Sequence, residues 1–282
     1  MAVEKRGAIM GTNLNQYVPC LRWKQGEYQA LAKLSSSTKN NLKPLIEIPE
    51  IGYDFEKRTE SKIIDDHLAK VAQRIEANWG RSDCFVDFHL INPSERMKTG
   101  QHPLDFVFAE LRAKGIMAVP VINLKQDTDC QNSISDIISI DKRGGCARIN
   151  IEESIKSDFK NSLDALLHRY HIGSDKCDFI LDLGSPNFNP INGFTNLLLS
   201  LIKKLPYLNE WRSFALIGTS FPRSMAEVSR GLSIIPRNEW LLYISLIRSL
   251  RDSGTRIPLF GDYGINHPDV IRLDMRHVKP KL

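Results

Sequence analysis

Eight short apolar runs divide this sequence, and they constrain its fold more than any other feature. They lie at 17–21, 43–48, 84–88, 117–122, 146–151, 177–183, 214–218 and 257–261. Strands that alternate with helices pair in parallel, because each crossover returns the chain to the same edge of the sheet. The intervening apolar residues have the spacing of a helix that packs one stripe against a sheet, most clearly over 62–79, 102–114, 152–170, 194–205 and 238–251.

The number of strand–helix units predicts an α/β fold of the closed (β/α)8, TIM-like barrel type. Eight units in a chain of 282 residues match the usual length of such a barrel. An open dinucleotide-binding sheet is disfavoured because no G-x-G-x-x-G motif follows a run. We expect residues 1–16 to form an N-terminal extension and residues 17–282 to form a single barrel domain.

Two features leave the completeness of this barrel open. Pro19 and Pro120 fall inside predicted central strands, where a proline removes an N–H donor from the ladder. After the last run, residues 265–282 are too short and too interrupted to predict a regular closing helix. The sequence is therefore compatible with a barrel that is incomplete at its C-terminal closure.

The composition is that of an ordinary globular protein, with 42% hydrophobic and 25% charged residues. A formal charge of +5 permits a phosphate or nucleic-acid partner without requiring one. The five cysteines form no C-x-x-C pair, which argues against a zinc or redox motif and indicates a reducing compartment. Since no stretch has the length and apolarity of a signal peptide or a membrane span, we expect a cytoplasmic protein with no membrane partner.

Four short motifs stand in a definite order along the chain: LRWKQGE at 21–27, PLIEIPE at 44–50, IPRNEW at 235–240 and PLFGDYG at 258–264. Together they resemble the beta protein family, which is named for a bacteriophage protein and is scattered through phage and bacterial genomes. The resemblance runs from Tyr17 to about Gly264. It implies a barrel-like α/β domain and a phage or anti-phage setting, but it implies no particular activity and brings no catalytic residues.

Three carboxylates stand at predicted strand ends, where the functional groups of such barrels collect. Glu47, Asp87 and Asp182 each lie between apolar neighbours. Converging from three strands, they are candidate catalytic groups that could hold a hard divalent cation such as Mg²⁺, although the cofactor itself stays unknown. His89, on the same strand face as Asp87, is a candidate general acid or base.

The predicted ligand-binding residues surround these carboxylates. Arg22 and Lys24 would neutralise a phosphate, arginine through paired hydrogen bonds and lysine as a point charge. Trp23 could stack on a base or sugar, but a plug at the barrel rim is the more common role. The loop 219–224 stands where many such barrels bind phosphate. The predicted set is Arg22, Trp23, Lys24, Glu27, Lys125, Arg148, Arg223, Asp262 and Tyr263.

Each of these side chains also has a structural interpretation, because a buried carboxylate can pair with Arg22 or Arg148 to fill a polar layer of the barrel. Two functions therefore stay open, and with them the question of whether the chain is an enzyme. In the first, a barrel of a phage or anti-phage defence system binds a phosphate, nucleotide or nucleic acid at its mouth, with metal-assisted phosphodiester chemistry. In the second, a non-catalytic recognition or scaffold subunit binds a protein partner of that system.

Overall fold

Parallel pairing closes eight strands into a ring. The computed structural model describes residues 16–225, 228 and 231–269. Its strands are β1 (Tyr17–Arg22), β2 (Leu45–Glu47), β3 (Tyr53–Asp54), β4 (Thr59–Glu60), β5 (Cys84–Asp87), β6 (Ala118–Ile122), β7 (Gly145–Asn150), β8 (Cys177–Asp182), β9 (Phe214–Gly218) and β10 (Leu259–Asp262). The barrel order is β1-β10-β9-β8-β7-β6-β5-β2, closing on β1, while β3 and β4 form a separate two-stranded antiparallel sheet.

Helices fill the crossovers and cover the outside of the ring. They are α1 (Gln25–Ala32), α2 (Ser36–Lys39), α3 (Ile64–Leu68), α4 (Val71–Asn78), α5 (Pro103–Ala113), α6 (Thr128–Asp141), α7 (Ile151–Ser154), α8 (Phe159–Arg169), α9 (Ile191–Lys203) and α10 (Asn238–Asp252), with a short 3₁₀ turn at Ser174–Lys176. The predicted helical segments are confirmed, except that 62–79 is divided into α3 and α4, and 152–170 into α7 and α8.

The predicted closed barrel is confirmed, and its sheet is complete. Tyr17 of β1 pairs with Phe260 of β10, and Val18 pairs with Gly261, so the last strand closes on the first. A helix after β10 would fall within 270–282, which lies outside the described residues. Residues 1–15 also lie outside them, so the N-terminal extension and the single-domain boundary stay predictions.

Both strand prolines stand at the end of a run of paired residues, which explains why the sheet tolerates them. β1 pairs with β10 from Tyr17 to Pro19 and with β2 from Cys20 to Arg22, and Tyr17 also bridges Leu42 ahead of β2. The pairing of β6 is with β5 up to Pro120 and with β7 from Val121 onward. Pro19 therefore falls in the gap between the Tyr17–Leu42 bridge and the β1–β2 ladder, and Pro120 is the last residue paired with β5, so neither missing N–H breaks a continuous run of paired residues.

The barrel interior is built in layers. Its middle is a compact apolar cluster separate from the larger core between strands and helices: Val18, Cys20, Leu45, Phe85, Val119, Val121, Cys146, Ile180, Ala215, Ile217, Leu259 and Tyr263. Below it, at the amino ends of the strands, Asp178 is fully buried and pairs with Lys43 Nζ at 3.1 Å and Arg212 Nη2 at 2.6 Å. A second ionic layer lies above it, at the carboxyl ends.

Four of the five cysteines lie in barrel strands and are buried, where a free cysteine packs as a small hydrophobe. These are Cys20, Cys84, Cys146 and Cys177, while Cys130 is half-buried in α6, and all five are unpaired thiols. Of the helices within the described ranges, none combines the length and apolarity required to cross a bilayer.

Candidate functional site

Strand alternation assembles the upper ionic layer. Side chains two positions apart on a strand share a face, and each member of this layer follows an interior apolar residue by two positions. Arg22 follows Cys20, Glu47 follows Leu45 and Asp87 follows Phe85, and the same spacing relates Arg148 to Cys146 and Asp182 to Ile180. The sequence therefore places charges from five strands on one end of the lumen.

The Arg148 guanidinium lies at the centre of this layer and bonds all three predicted catalytic carboxylates. Its Nη1 donates to Glu47 Oε1 and to Asp87 Oδ2, both at 2.8 Å. Its Nε donates to Asp182 Oδ2 at 2.9 Å. Only 11% of the Arg148 side chain is exposed, so the ion pairs stand in a medium of low dielectric constant. We call Arg148, Glu47, Asp87, Asp182 and Tyr263 the Arg148 cluster.

Tyr263 completes the cluster. Its hydroxyl donates to Asp182 Oδ2 at 2.6 Å and accepts from Arg148 Nη2 at 2.8 Å. Burial and the neighbouring Asp182 charge raise the pKa of Tyr263 well above its usual value, so the hydroxyl keeps its proton. Arg148 and Tyr263, two of the predicted ligand-binding residues, therefore form hydrogen bonds with carboxylates of the chain itself.

The Arg148 cluster does not fit the predicted Mg²⁺ site. A guanidinium occupies the point on which Glu47, Asp87 and Asp182 converge, and its positive charge would repel a divalent cation. Within the described parts of the chain, no group of three or more His, Cys, Asp or Glu side chains has the spacing to hold a metal ion. The three carboxylates neutralise an arginine, as the structural interpretation proposed.

His89 is the member of this region that reaches solvent. A third of its side chain, 33%, is exposed, and its Nδ1 lies 3.1 Å from Asp87 Oδ2. Its Nε2 lies 3.7 Å from Glu47 Oε1. Burial lowers the pKa of His89, but the Asp87 carboxylate overcomes that effect and the net change is upward. The pKa of Asp87 moves the other way: burial alone would raise it, but the positive charges of His89 and Arg148 hold it below its usual range.

We expect the pKa of His89 to report this arrangement directly. In the intact protein the ring should titrate above the usual value of about 6.5. In Asp87→Asn the larger raising charge is gone, while burial and Arg148 still lower the pKa of His89 and only the weaker effect of Glu47 raises it, so the ring should titrate clearly below its value in the intact protein. The measurement is a pH titration of the His89 Cε1–H resonance, with His171 as an internal control. An unchanged His89 titration in the variant would contradict the Asp87–His89 pairing.

A cavity of about 710 Å³ opens above the cluster at the mouth of the barrel. Its floor is formed by Asp87, Arg148, Asp182 and Tyr263, and His89 stands in its wall. The N-terminal caps of two helices form part of the rim of the cavity. Asp127 caps α6 by accepting from the N–H groups of Asp129 and Cys130, and Asn150 caps α7 by accepting from Glu153 N at 2.8 Å. The rim also includes Lys125, whose Nζ pairs with Glu153 Oε1 at 3.2 Å.

Several predicted ligand-binding residues lie outside this described lining. Trp23 is 4% exposed and packs in the layer between strands and helices, 5.6 Å from the Tyr28 ring, so it does not present a stacking face. Lys24 is exposed beside the mouth. Asp262 points away from the lumen and pairs with Arg237 Nη2 at 2.5 Å. Arg223 is half-exposed and lies 3.4 Å from Asp269.

The predicted phosphate loop is filled by the chain itself. The Ser220 N–H donates to Glu239 Oε2 at 3.1 Å, and the Ser220 hydroxyl donates to the same oxygen. Arg237 Nε donates to Glu239 Oε1 at 3.0 Å. The Glu239 carboxylate therefore takes the donors that a phosphate would need at this position.

Arg22 and Glu27 serve a different part of the mouth from the one predicted. Arg22 Nη2 donates to the carbonyl oxygens of His267 at 2.7 Å and Pro268 at 2.5 Å. Glu27 Oε1 accepts from Asn266 Nδ2. Sequence reasoning missed His267, Pro268, Gln126 and Ser185 as lining residues. The Asp127–Thr128 cap signal could have placed Gln126 at the mouth, whereas nothing in the sequence after β10 marks His267.

The fold and this mouth define a parallel (β/α)8 barrel with a buried ionic layer beneath an open polar cavity. A family model, described as Beta protein, matches residues 17–282, nearly the whole chain. The chain therefore belongs to the Beta protein family, as the sequence motifs predicted. No curated protein matches the sequence.

Solved structures with related architecture are distant. Triosephosphate isomerase from Bartonella henselae is 8% identical, with a TM-score of 0.39, covering 87% of this chain and 90% of that one. A GH18 chitinase from Pseudoalteromonas aurantia is 9% identical, with a TM-score of 0.33, covering 82% of this chain and 77% of that one. Likeness at this level carries no argument about activity.

Proposed function

We propose that this protein binds a small polar molecule in the mouth cavity and that His89 exchanges a proton with it. The observation that carries the proposal is a cavity of about 710 Å³ in which an exposed histidine stands beside a buried ionic floor. Ligand pockets of this kind usually measure about 300–1,000 Å³ and combine apolar walls with a few fixed polar groups. Phe88, Ile91 and Leu183 supply apolar wall here.

The floor of the cavity supports a fixed ligand geometry. Arg148, Asp182 and Tyr263 hold one another through hydrogen bonds of 2.6–2.9 Å, so their orientations are set before a ligand enters. Such preorganisation reduces the entropy lost on binding. His89 differs from them because it is partly exposed, and Asp87 behind it orients the ring. A histidine in this position can give or take a proton near neutral pH.

The charge of the cavity favours a neutral or positively charged ligand. Its described lining carries the six carboxylates Asp87, Asp127, Glu152, Glu153, Asp182 and Asp269, against the two permanent cations Lys125 and Arg148 and the His89 ring, which adds a third positive charge when it is protonated. Arg148 bonds three carboxylates of the chain, and Lys125 pairs with Glu153. A phosphate would have to compete with these partners for either cation. An amine or a hydroxyl group of a ligand could instead donate hydrogen bonds to the carboxylates of the lining.

The sequence-based predictions of an anionic ligand, metal-assisted phosphodiester chemistry and a phage-defence setting are not tested by any of these contacts. The prediction of an anionic ligand rested in part on Lys24 and Arg223, and both residues lie outside the described lining. We therefore place the neutral or cationic ligand first and treat the anion as the competing outcome of the same experiment.

The test uses matched sets of small molecules that differ only in charge: benzylamine, benzyl alcohol and benzyl phosphate, and glucosamine, glucose and a glucose phosphate. We expect calorimetry to detect the amine and alcohol members more strongly than the phosphate. His89→Ala should weaken that binding by about tenfold, the worth of one charge-assisted hydrogen bond. Glu110→Gln, on the exposed face of α5, is the matched control and should bind like the intact protein.

Three results would overturn the proposal. Binding of the phosphate members alone would favour the anionic ligand, and equal binding by His89→Ala and the intact protein would remove the role given to His89. If calorimetry detects no binding of any member of either set up to millimolar concentration, that result would argue against a small-molecule site of this charge.

One observation favours the alternative of a recognition subunit with a protein partner. Of the described residues, five large apolar side chains close together in the chain are exposed: Met225, Leu232, Ile234, Trp240 and Leu241, of which Leu232 and Ile234 are almost fully exposed. Exposed apolar surface of this kind often marks a protein contact. Under this alternative, a photoreactive residue placed at position 232 would give one defined protein adduct in cells, whereas one placed at position 110 would give none.

A further inference from the structure

One wall of the mouth cavity is formed by a short segment that follows β10. We call residues 264–269 the rim segment. His267, Pro268 and Asp269 line the cavity, and the preceding Tyr263 belongs to its floor. Internal hydrogen bonds shape the segment: Gly264 N donates to Asp262 Oδ1 at 2.9 Å and Asn266 N donates to Tyr263 O at 3.0 Å. Whatever holds this segment therefore sets the width of the cavity.

The anchors of the rim segment come from the LRWKQGE motif at the other end of the chain. Arg22, 6% exposed, donates from Nη2 to the carbonyl oxygens of His267 and Pro268. Glu27, on α1, bonds the Asn266 side chain. Neither Arg22 nor Glu27 is part of the described cavity lining. They contact the rim segment on the side that faces away from the cavity.

Arg22 also faces the Arg148 cluster. Its Nε lies 3.6 Å from Glu47 Oε2, too far for a hydrogen bond, and this buried atom has no other acceptor among the described residues. A buried donor without an acceptor is costly. A small shift of Arg22 toward Glu47 would satisfy it and would carry the bonded carbonyls of the rim segment in the same direction.

We propose that Arg22 and Glu27 are positioning residues that hold the rim segment as a movable wall of the ligand site. Arg22 couples the wall to the Arg148 cluster, and Glu27 fastens the tip of the segment through Asn266. This inference rests on the proposed function, because a wall has a role in binding only where the cavity takes a ligand. Anchoring of the segment can be measured without any ligand.

The environment of Glu27 makes the second anchor sensitive to pH. Burial raises the pKa of Glu27 to about 7, against the hydrogen bonds from Lys24 N and Asn266. The charged groups facing it are Lys24, which lowers that pKa, and Glu47, which raises it. A carboxyl whose folded pKa is raised favours the closed segment below the unfolded value of about 4.3. That preference is lost as the pH rises through 7, so the segment should open more readily in mild alkali.

The experiment is hydrogen–deuterium exchange of the backbone amides in 264–269, followed by mass spectrometry. Arg22→Gln should raise exchange there by about tenfold and leave β5 and β8 unchanged. Asn266→Ala, which removes a half-buried side chain that bonds Glu27, should give a smaller rise. Arg248→Gln, on the exposed face of α10, is the control and should change nothing. With exchange rates divided by the intrinsic rate of an unstructured amide at each pH, the intact protein should lose protection of 264–269 between pH 6 and pH 8. Glu27→Gln should remove that loss.

The outcomes separate this inference from the proposed function. Unchanged exchange of 264–269 in both Arg22→Gln and Asn266→Ala would overturn the anchoring, whatever binds. If exchange rises but benzylamine binds Arg22→Gln as tightly as it binds the intact protein, the positioning role is overturned while the ligand site stands. If benzylamine and the other probes fail to bind the intact protein, the proposed function fails and the positioning role fails with it.

Discussion

Replacing Arg148 by methionine is expected to cost roughly 3–5 kcal/mol of unfolding free energy at neutral pH, the effect of removing one partner from a buried ionic group. Arg148 neutralises Glu47, Asp87 and Asp182 together, and the first two are 1% and 2% exposed. Without the guanidinium, three carboxylates would face one another in a medium of low dielectric constant. Urea unfolding at pH 7.5 measures the change.

The sign of the pH dependence distinguishes this mechanism from loss of packing. In Arg148→Met, burial and mutual repulsion raise the folded pKa values of the carboxylates, so the variant loses stability as the pH rises through them. In the intact protein the pKa of Asp87 is lowered, so stability is lost as the pH falls. The two stabilities should therefore converge between pH 7.5 and pH 5. A deficit that stays constant over this range would indicate a packing defect, and Arg248→Met, an exposed control, should change stability by less than about 0.5 kcal/mol.

Replacing Asp178 by alanine should produce a loss of similar size, roughly 3–5 kcal/mol, at the opposite end of the barrel. The Asp178 carboxylate accepts from Lys43 Nζ at 3.1 Å, Arg212 Nη2 at 2.6 Å and Ser213 Oγ at 2.6 Å. Lys43 is 8% exposed, so its ammonium would be left as an uncompensated buried charge. Urea unfolding again measures the loss, at a temperature where the variant is still folded.

The two ionic layers should contribute differently to ligand binding. Asp178 lies beneath the apolar middle of the lumen, far from the cavity floor, so Asp178→Ala should bind the amine and alcohol probes like the intact protein. A variant of the upper layer should lose both stability and binding. If Asp178→Ala loses probe binding while still folded, the assignment of the two layers to separate roles is wrong.

The fold could be predicted from the sequence because each of its eight strands is short, apolar and followed by a segment with helical periodicity. Whether the last strand completes the predicted ring could not be decided from the sequence, since it depends on the pairing of β10 with β1, contacts such as Tyr17 with Phe260 that are far apart in the chain. The strand prolines illustrate the same limit. Pro19 and Pro120 are tolerated because each stands at the end of a run of paired residues, a property of register rather than of composition.

The site was predicted in part for the same reason. Glu47, Asp87, Asp182 and Arg148 share the lumen-facing parity of their strands, and the alternation of apolar residues around them revealed it. Parity also explains Trp23 and Asp262, each of which neighbours a lumen-facing residue and therefore points the other way. What one sequence could not decide is whether the carboxylates hold a ligand or pair with an arginine, and which arginine that is: all three converge on Arg148, from a fourth strand.

The most direct test of a ligand in the mouth cavity is a titration of the isotope-labelled protein with benzylamine, followed through the His89 Cε1–H resonance. We predict a His89 shift that saturates at the dissociation constant found by calorimetry, while the His171 resonance stays still. Calorimetric binding with an unmoved His89 would place the ligand elsewhere on the molecule and contradict the proposed site.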